Sequence, residues 1–213
     1  LFLRGTLFAL TDEEREDYNS QLDIDGSGVM GYIEIPTIKV SLPIYHGTSD
    51  DVLQVAVGHL EWSSLPVGGE STHAVLSAHR GLPTAKLFSD LDLMRVGDRF
   101  TIYTLNQALT YQVDQITVIL PEEIEALAIE PGKDYVTLMT CTPYAVNTHR
   151  LLVRGVRVPD DAPTPEPESE PEKEPLDARR MLQNVVLPAT AGILFVIMTV
   201  LLLKVVRGGR RKK

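Results

Sequence analysis

The sequence is poor in cysteine, which limits the covalent and metal chemistry open to it. Cys141 is the only cysteine among 213 residues, so an intramolecular disulfide is excluded. A lone cysteine is either a small buried hydrophobe or a reactive thiol. The inert, buried state is the more frequent of the two for an isolated cysteine. The neighbouring residues must therefore decide which role Cys141 has.

Basic residues are scarce over most of the chain. Six of the 20 lysines and arginines lie in the last ten positions, which leaves 14 basic and 29 acidic residues in 1–203, a net charge of −15. This acidic body argues against nucleic-acid binding, which needs a basic surface. The length and a hydrophobic content of 44% predict one medium-sized domain with its own core, plus appendages. Because the sequence begins with Leu1 rather than methionine, we expect a fragment, from which any N-terminal signal or anchor would be missing.

The five histidines do not have the spacing of a zinc site. No two lie at i and i+4 on a predicted helix, and no carboxylate cluster accompanies them. His79 differs from the others because it ends an apolar strand, His73–Ala78, and precedes Arg80-Gly81. A side chain at the junction of a strand and a loop is rigidly held and still reachable by a substrate. His79 is therefore the strongest histidine candidate for catalysis.

The N-terminal segment, 1–22, is predicted to be apolar and then helical. An apolar stretch ends near Leu10, and Thr11 and Glu14 then form a capping-box pattern. This pattern predicts a short helix that runs to about Leu22, with an acidic first turn that suits the helix dipole.

A calcium-loop pattern follows the predicted helix. Oxygen-bearing side chains occupy positions 1, 3, 5 and 12 of the template, and glycine occupies position 6; the four residues are Asp23, Asp25, Ser27 and Glu34. The segment that leaves this loop alternates between apolar and other residues and ends at Pro36. This pattern predicts a strand rather than the helix that an EF-hand requires. We therefore interpret it as a polar turn before a strand, with Glu34 facing solvent, and predict no metal site.

From Tyr32 to Val158 the pattern is mainly β. The helical exceptions are Pro83–Met94, where Leu87, Leu91 and Met94 have helical spacing, and one or two turns at Pro121–Leu127. Seven or eight short strands with few helices favour a closed β-barrel or a sandwich. The strands are predicted at 33–44 (two, broken at Pro36 and Pro43), 73–78, 99–105, 109–120, 134–140 and 149–158.

The C-terminal region has the composition of a linker followed by a membrane anchor. Residues 159–175 contain six prolines and seven acids and no large apolar side chain, which predicts an extended stalk. Residues 181–203 then lack any charge and would span roughly 34 Å as a helix, enough to cross a bilayer. Six basic residues follow, so the positive-inside rule places the tail in the cytoplasm and the body outside the cell.

Three segments of the body stand out: Leu-Ser-Ala-His79-Arg-Gly, Thr-Leu-Met-Thr-Cys141-Thr-Pro-Tyr and Asn-Thr-His-Arg150-Leu-Leu-Val. They resemble the signature segments of sortases, the membrane-anchored cysteine transpeptidases of Gram-positive bacteria. Further details resemble the class C, pilus-assembling sortases, including Gly31-Tyr-Ile-Glu-Ile-Pro, Leu42-Pro-Ile-Tyr-His-Gly and the predicted C-terminal membrane helix. The resemblance covers about Gly28 to Val158.

The resemblance implies a mainly β fold, a closed sortase-type barrel of about eight strands with short helices and a C-terminal transmembrane helix. Together with the composition of the C-terminal region, the resemblance predicts five parts: an N-terminal helical or lid-like segment (1–22), the catalytic barrel (23–158), an acidic linker (159–180), the transmembrane helix (181–206) and a basic cytoplasmic tail (207–213).

The resemblance also implies an activity. Cys141 would attack the Thr–Gly carbonyl of a Leu-Pro-x-Thr-Gly sorting signal, and His79 would transfer protons. Arg150 would orient the substrate and stabilise the oxyanion, with Thr140 and Thr142 as neighbours. The acceptor would be a pilin lysine, and no cofactor is implied. His149 should point to the opposite face of its strand from Arg150.

Several alternatives stay open from the sequence. The Asp-Pro-aromatic lid motif of class C enzymes does not occur in the sequence. Three explanations stay open: Phe8, beside Leu7, takes the place of the motif; the lid lies before Leu1; or the site is open.

The function also has alternatives. The chain could instead anchor surface proteins to the cell wall, as a housekeeping sortase does. L,D-transpeptidases also use Cys, His and Arg, but with a Gly-Cys-x-Arg nucleophile context. Finally, Leu187–Gly192 resembles a degenerate sorting signal, which would make the chain a non-enzymatic surface protein cleaved after Thr190; the ordinary interpretation is the start of a membrane helix.

Overall fold

The computed structural model describes residues 10–83 and 85–159, and the first element in it is a helix. Helix α1 spans Asp12–Ser20, and the capping box predicted from Thr11 and Glu14 is present in full. The Thr11 hydroxyl accepts the Glu14 N–H, and the Glu14 carboxylate accepts the Thr11 N–H at 2.8 Å. This reciprocal pair satisfies two N–H groups that the first turn otherwise leaves without partners.

Eight strands of the described part of the chain close into a barrel. Their order around the barrel is β1-β2-β3-β4-β7-β8-β6-β5, with parallel pairing only between β2 and β3 and between β4 and β7. The predicted mainly β fold is confirmed, and the closed barrel is the form it takes. The strands are β1 Val29–Ile35, β2 Val40–His46, β3 Val57–His59, β4 Thr72–Ser77, β5 Arg99–Thr104, β6 Gln107–Ile119, β7 Asp134–Thr142 and β8 His149–Arg157.

Apolar side chains pack on both faces of the strands β4, β7 and β8. The barrel interior is filled by fully buried residues that include Ile33, Leu76, Phe100, Tyr111 and Leu138. A second cluster covers the outer face of these three strands, and it consists of Leu53, Leu60, Val75, Ile119, Leu127, Met139 and Leu152. Burial on both faces explains why these strands have nearly continuous apolar sequences rather than strict alternation. The outer cluster supports the site described below.

The helical prediction for Pro83–Met94 is wrong. Leu87, Leu91 and Met94 are all buried, as their spacing indicates, but the only helical turn among the described residues of this segment is a 3-10 turn at Leu91–Leu93. Leu87 has a φ of 41°, a left-handed conformation that an α-helix cannot accommodate. The segment therefore buries its apolar residues as an irregular loop. A single 3-10 turn forms at Glu125–Leu127, within the second predicted helical segment.

The calcium-loop pattern forms a turn whose oxygen atoms bind the backbone. Asp23 Oδ1 accepts the Gly28 N–H at 2.8 Å, and Asp25 Oδ1 accepts the Ser27 N–H at 3.1 Å. β1 follows directly, as the alternating exit predicts, and Glu34 lies exposed on it and accepts the Tyr103 hydroxyl at 3.1 Å. Glu34, which occupies position 12 of the template, therefore lies on a strand and not on the helix that an EF-hand needs there.

Several predicted segments lie outside the described residues. They are the possible lid residue Phe8, most of the linker, the predicted membrane helix at 181–206, the tail at 207–213 and the Leu187–Gly192 motif. Within residues 10–83 and 85–159, no helix is long and apolar enough to cross a bilayer.

Candidate active site

Cys141 and Arg150 lie directly opposite each other on the antiparallel strands β7 and β8. Cys141 is half-buried and packs against the outer apolar cluster. Arg150 is 7% exposed, and its Nη1 donates to the carbonyls of Asn147 at 3.2 Å and His149 at 3.0 Å. Side chains of directly paired residues project from the same face of a sheet. The pairing therefore places a cation beside the thiol, nine positions away in sequence.

His79 follows the strand that is parallel to the cysteine strand. β4 pairs with β7 up to Ser77 opposite Met139, and the Ala78 N–H then donates to the Met139 carbonyl at 3.2 Å. Continuing this register by two residues brings His79 level with Cys141. The three candidate catalytic residues thus lie at one end of three adjacent strands, Cys141 on β7, Arg150 on β8 and His79 two residues after the end of β4.

The two threonines that flank Cys141 face away from the thiol, because successive side chains alternate along a strand. The Thr140 hydroxyl is fully buried and donates to the Ala78 carbonyl at 2.9 Å, directly before His79. Thr142 lies opposite His149 at the end of the paired strands. The Thr140 hydroxyl therefore supports the segment that carries His79.

Burial shifts the pKa values of the thiol and the imidazole in opposite directions. Desolvation raises the pKa of Cys141, and the charge of Arg150 opposes that shift. Desolvation lowers the pKa of His79, and the negative charge of Asp50 opposes that shift. Both shifts favour the neutral forms of the two groups.

A known protein family matches the part of the chain that contains the candidate site. Residues 33–158, more than half of the chain, match the family model described as the sortase domain. The chain belongs to the sortase family. The match includes Cys141, His79 and Arg150, and it favours the sortase prediction over the L,D-transpeptidase alternative.

Solved structures and curated sequences of sortases agree with this membership. The chain is 62% identical to sortase C1 from Streptococcus agalactiae, with a TM-score of 0.71 over 73% of this chain and 80% of that chain. It is 59% identical to the structure described as sortase C1 of GBS Pilus Island 1, with a TM-score of 0.61 over 62% of this chain and 66% of that one. Among curated proteins, it is 33% identical to sortase A of Streptococcus agalactiae over 129 residues, 59% of this chain. The chain spans about half the length of that relative, 51%.

The other histidines of this sortase-family chain have structural contacts. His46 is bonded to the carbonyls of Gly28 and Gln21, His59 to the Tyr18 hydroxyl and the Ser64 carbonyl, and His73 to the Ala128 carbonyl and the Thr137 hydroxyl. His149 contacts the Thr148 hydroxyl on the exposed side, and its neighbour Arg150 is buried, as alternation predicts. These contacts leave His79 as the histidine placed beside the thiol.

Sequence reasoning missed two contributors to the site. Asp50 begins the short helix α2 (Asp50–Leu53), whose Leu53 packs into the outer cluster beneath the thiol. Tyr144, in the loop between β7 and β8, packs on Gly81 two positions after His79. Nothing in the linear sequence relates Asp50 or Tyr144 to His79, since only the tertiary fold brings them together.

A separate cleft of about 610 Å³ lies at the opposite end of the barrel. Its lining includes Tyr32, Tyr103 and Asn106, and it contains no cysteine, histidine or basic side chain. Size alone does not make this cleft the reaction site, because no thiol, imidazole or basic side chain lines it.

Proposed function

We propose that the chain is a cysteine transpeptidase that cleaves a Leu-Pro-x-Thr-Gly-like signal between Thr and Gly and transfers the acyl group to an amine. The observation that carries this proposal is the in-register pairing of Cys141 with Arg150, with His79 delivered by the adjacent parallel strand. A nucleophile, a proton-transfer group and a fixed cation on neighbouring strands form the minimal set for acyl transfer.

The first half-reaction forms a thioester. The Cys141 sulfur attacks the threonine carbonyl, and the Thr–Gly C–N bond breaks as the tetrahedral intermediate collapses. His79 donates a proton to the departing glycine amine, which leaves as a neutral amine. Because β7 is packed on both faces, the attacking sulfur sits on a rigid support.

Arg150 stabilises the charge that develops during attack. Its guanidinium is held by the Asn147 and His149 carbonyls, so its position is set before substrate binds. A preorganised cation loses little free energy to reorganisation when an oxyanion forms beside it. In the second half-reaction the incoming amine attacks the thioester carbonyl and gives a proton to His79, and the C–S bond breaks to release the Cys141 thiolate.

The acceptor is proposed to be a lysine side chain of a pilin subunit. The class C character of the similar solved structures supports this choice, including the one described with a pilus island. The alternative acceptor is a peptidoglycan amine, as in attachment of surface proteins to the cell wall. Offering the acyl-enzyme both amines separates the two functions by the mass of the product.

The cellular arrangement is also part of the proposal. Residues 181–206 anchor the chain in the cell membrane as a helix, with the barrel on the outer side and the basic tail in the cytoplasm. Sedimentation of the full chain with membranes, and protease accessibility of the barrel in intact protoplasts, test this arrangement. A tail found cleaved after Thr190 in cells would instead favour the surface-protein alternative.

A trapped acyl-enzyme provides the decisive test of the activity. The full chain is incubated with a Leu-Pro-x-Thr-Gly peptide, and the intact mass and the peptide map are measured. We expect a thioester adduct on Cys141 and release of the glycine-terminated fragment. The Cys141→Ala variant should form neither product. Full activity in that variant would overturn the assignment of the nucleophile.

A further inference from the structure

The loop between β7 and β8, residues 143–148, is a tightly built turn. The Pro143 carbonyl accepts the N–H groups of Val146 at 3.1 Å and Asn147 at 3.0 Å. Ala145 and Asn147 both have left-handed φ values, 63° and 61°. The Asn147 carbonyl produced by this turn accepts a hydrogen bond from Arg150. The shape of the loop therefore helps to set the position of the guanidinium.

Tyr144 extends from this loop to the segment that follows His79. An added Cβ on Gly81 would lie 2.6 Å from the Tyr144 ring, so the ring rests directly against the Gly81 backbone. The guanidinium carbon of Arg80 lies 5.7 Å from the ring centroid, within the range of a cation–π contact. Arg80 is itself held by an ion pair with Asp92 and is 10% exposed. Tyr144 therefore contacts an Arg80 side chain whose position is already fixed by its ion pair with Asp92.

The segment at His79 is anchored at further points. The Phe88 N–H donates to the His79 carbonyl at 3.2 Å, and the Gly81 N–H donates to Ser89 Oγ at 3.0 Å. These two hydrogen bonds join the backbone of the His79 segment to the irregular loop that contains Phe88 and Ser89. On the side that faces β8, the contact made by Tyr144 joins this segment to the loop that holds Arg150.

We propose that Tyr144 is a positioning residue for the transpeptidation site, which holds the His79 segment in place relative to the loop that orients Arg150. The inference rests on the proposed function and adds to it a residue that does not itself react. The ring contact with Gly81 and Arg80 spans the gap between the two sides of the site, with Cys141 between them. The ring is expected to be the essential part, because its Cε2 and Cζ atoms lie nearer to the Gly81 position, at 2.6 and 2.9 Å, than the hydroxyl oxygen does, at 3.0 Å.

Measurements of kcat, KM and the unfolding temperature distinguish a positioning role from two other roles. A residue that only stabilised the fold would lower the unfolding temperature without a selective effect on kcat. A residue that only formed a wall for the peptide would raise KM and leave kcat unchanged. Positioning predicts the reverse, a fall in kcat at nearly constant KM, because the misplaced groups act in the transition state.

The test compares three variants of the full chain in peptide cleavage. We expect Tyr144→Ala to lower kcat roughly ten- to hundredfold, since small displacements of catalytic groups have effects of this size. Tyr144→Phe keeps the ring and should retain nearly the full kcat. Tyr32→Ala is the matched control, because Tyr32 is similarly exposed, 53% against 59%, and lies at the opposite end of the barrel. An unchanged kcat in Tyr144→Ala, or a change in KM alone, would overturn the proposal.

A second measurement does not depend on turnover. The ring-proton NMR signals of His79, assigned with His79→Gln, should shift in Tyr144→Ala and keep their positions in Tyr144→Phe and Tyr32→Ala. If the wild-type chain cleaves no peptide, the proposed function fails, and the His79 signals alone decide whether Tyr144 positions the histidine. Unshifted signals in Tyr144→Ala would then reject that role.

Discussion

Arg150 lies across from Cys141 on the neighbouring strand, and its guanidinium is held by two carbonyl groups, of Asn147 and His149. The same face of β8 carries a second arginine four residues later. Arg154 forms ion pairs with Asp114 and Glu130 and lies 4.1 Å from the centre of the Tyr135 ring. The two arginines share a strand and a face but differ in their neighbours, which makes them a matched pair for mutagenesis.

The first prediction concerns this pair of arginines. Arg150→Lys should lower kcat/KM about 100-fold or more, because lysine cannot reproduce the fixed geometry of the guanidinium beside a developing oxyanion. Arg154→Lys should leave kcat/KM unchanged and lower the free energy of unfolding by about 1 kcal/mol, since it loses a bidentate ion pair and a ring contact. Peptide-cleavage kinetics and chemical denaturation measure the two effects. Equal losses of activity in both variants would contradict the assignment.

The second prediction concerns the pH dependence of cleavage. In the proposed mechanism the productive form combines the Cys141 thiolate with the His79 imidazolium, and burial moves the two pKa values apart. Activity should rise through the lowered pKa of His79, stay level, and fall above the raised pKa of Cys141. Asp50→Asn removes a charge that raises the pKa of His79, so the acid limb should move to lower pH and the plateau should fall.

Asp51→Asn is the control for that prediction. Asp51 is the exposed neighbour of Asp50 on α2, and no effect of its charge on the pKa of His79 is found. The acid limb should keep its position in Asp51→Asn. An acid limb that moves to higher pH in Asp50→Asn would show that Asp50 does not support the protonated imidazole.

The third prediction concerns the buried His59. Its Nε2 donates to the Ser64 carbonyl at 2.8 Å, so its Nδ1 is the acceptor for the Tyr18 hydroxyl at 2.9 Å. Burial lowers the pKa of His59 from 6.5 to about 4, and the folded state therefore binds the proton more weakly than the unfolded state. Stability is complete above pH 6.5 and should decrease by about 3 kcal/mol as the pH falls from 6.5 to 4.

Urea denaturation of the wild type and of His59→Gln at several pH values between 4 and 8 measures this effect. The variant should be less stable at pH 8 and should lose the part of the pH dependence that belongs to His59. An unchanged pH dependence in His59→Gln would show that other groups cause the acid sensitivity.

The fourth prediction concerns the hydroxyl of Thr140. Thr140→Val should leave the buried Ala78 carbonyl without its 2.9 Å donor and lower the free energy of unfolding by about 1–2 kcal/mol. Thr140→Ser keeps the hydroxyl and should restore most of the stability. Activity should fall modestly in Thr140→Val, because the affected carbonyl directly precedes His79. A loss as large as that in Arg150→Lys would indicate that Thr140 contacts the substrate after all.

Much of what could be predicted from the sequence came from local residue patterns. The capping box at Thr11 and Glu14 starts α1 as expected, because a helix start depends on residues three positions apart. The alternation after Gly31 correctly predicts a strand where a calcium loop would need a helix. The helical spacing of Leu87, Leu91 and Met94 identified buried residues and predicted the wrong backbone, since burial is a tertiary property and a helix is only one way to achieve it.

The sequence by itself determined which residues can carry the chemistry. A single thiol, a histidine at a strand end and an arginine nine positions after the thiol can be identified without coordinates, because residue type and strand alternation are local properties. Only the tertiary structure decided the arrangement of these groups. The parallel pairing of β4 with β7 brings His79 level with Cys141. Asp50, at the start of α2, and Tyr144, in the loop after β7, reach the His79 segment from positions that are distant from it in sequence. Strand order and loop packing depend on contacts summed over the whole barrel, so no short segment contains that information.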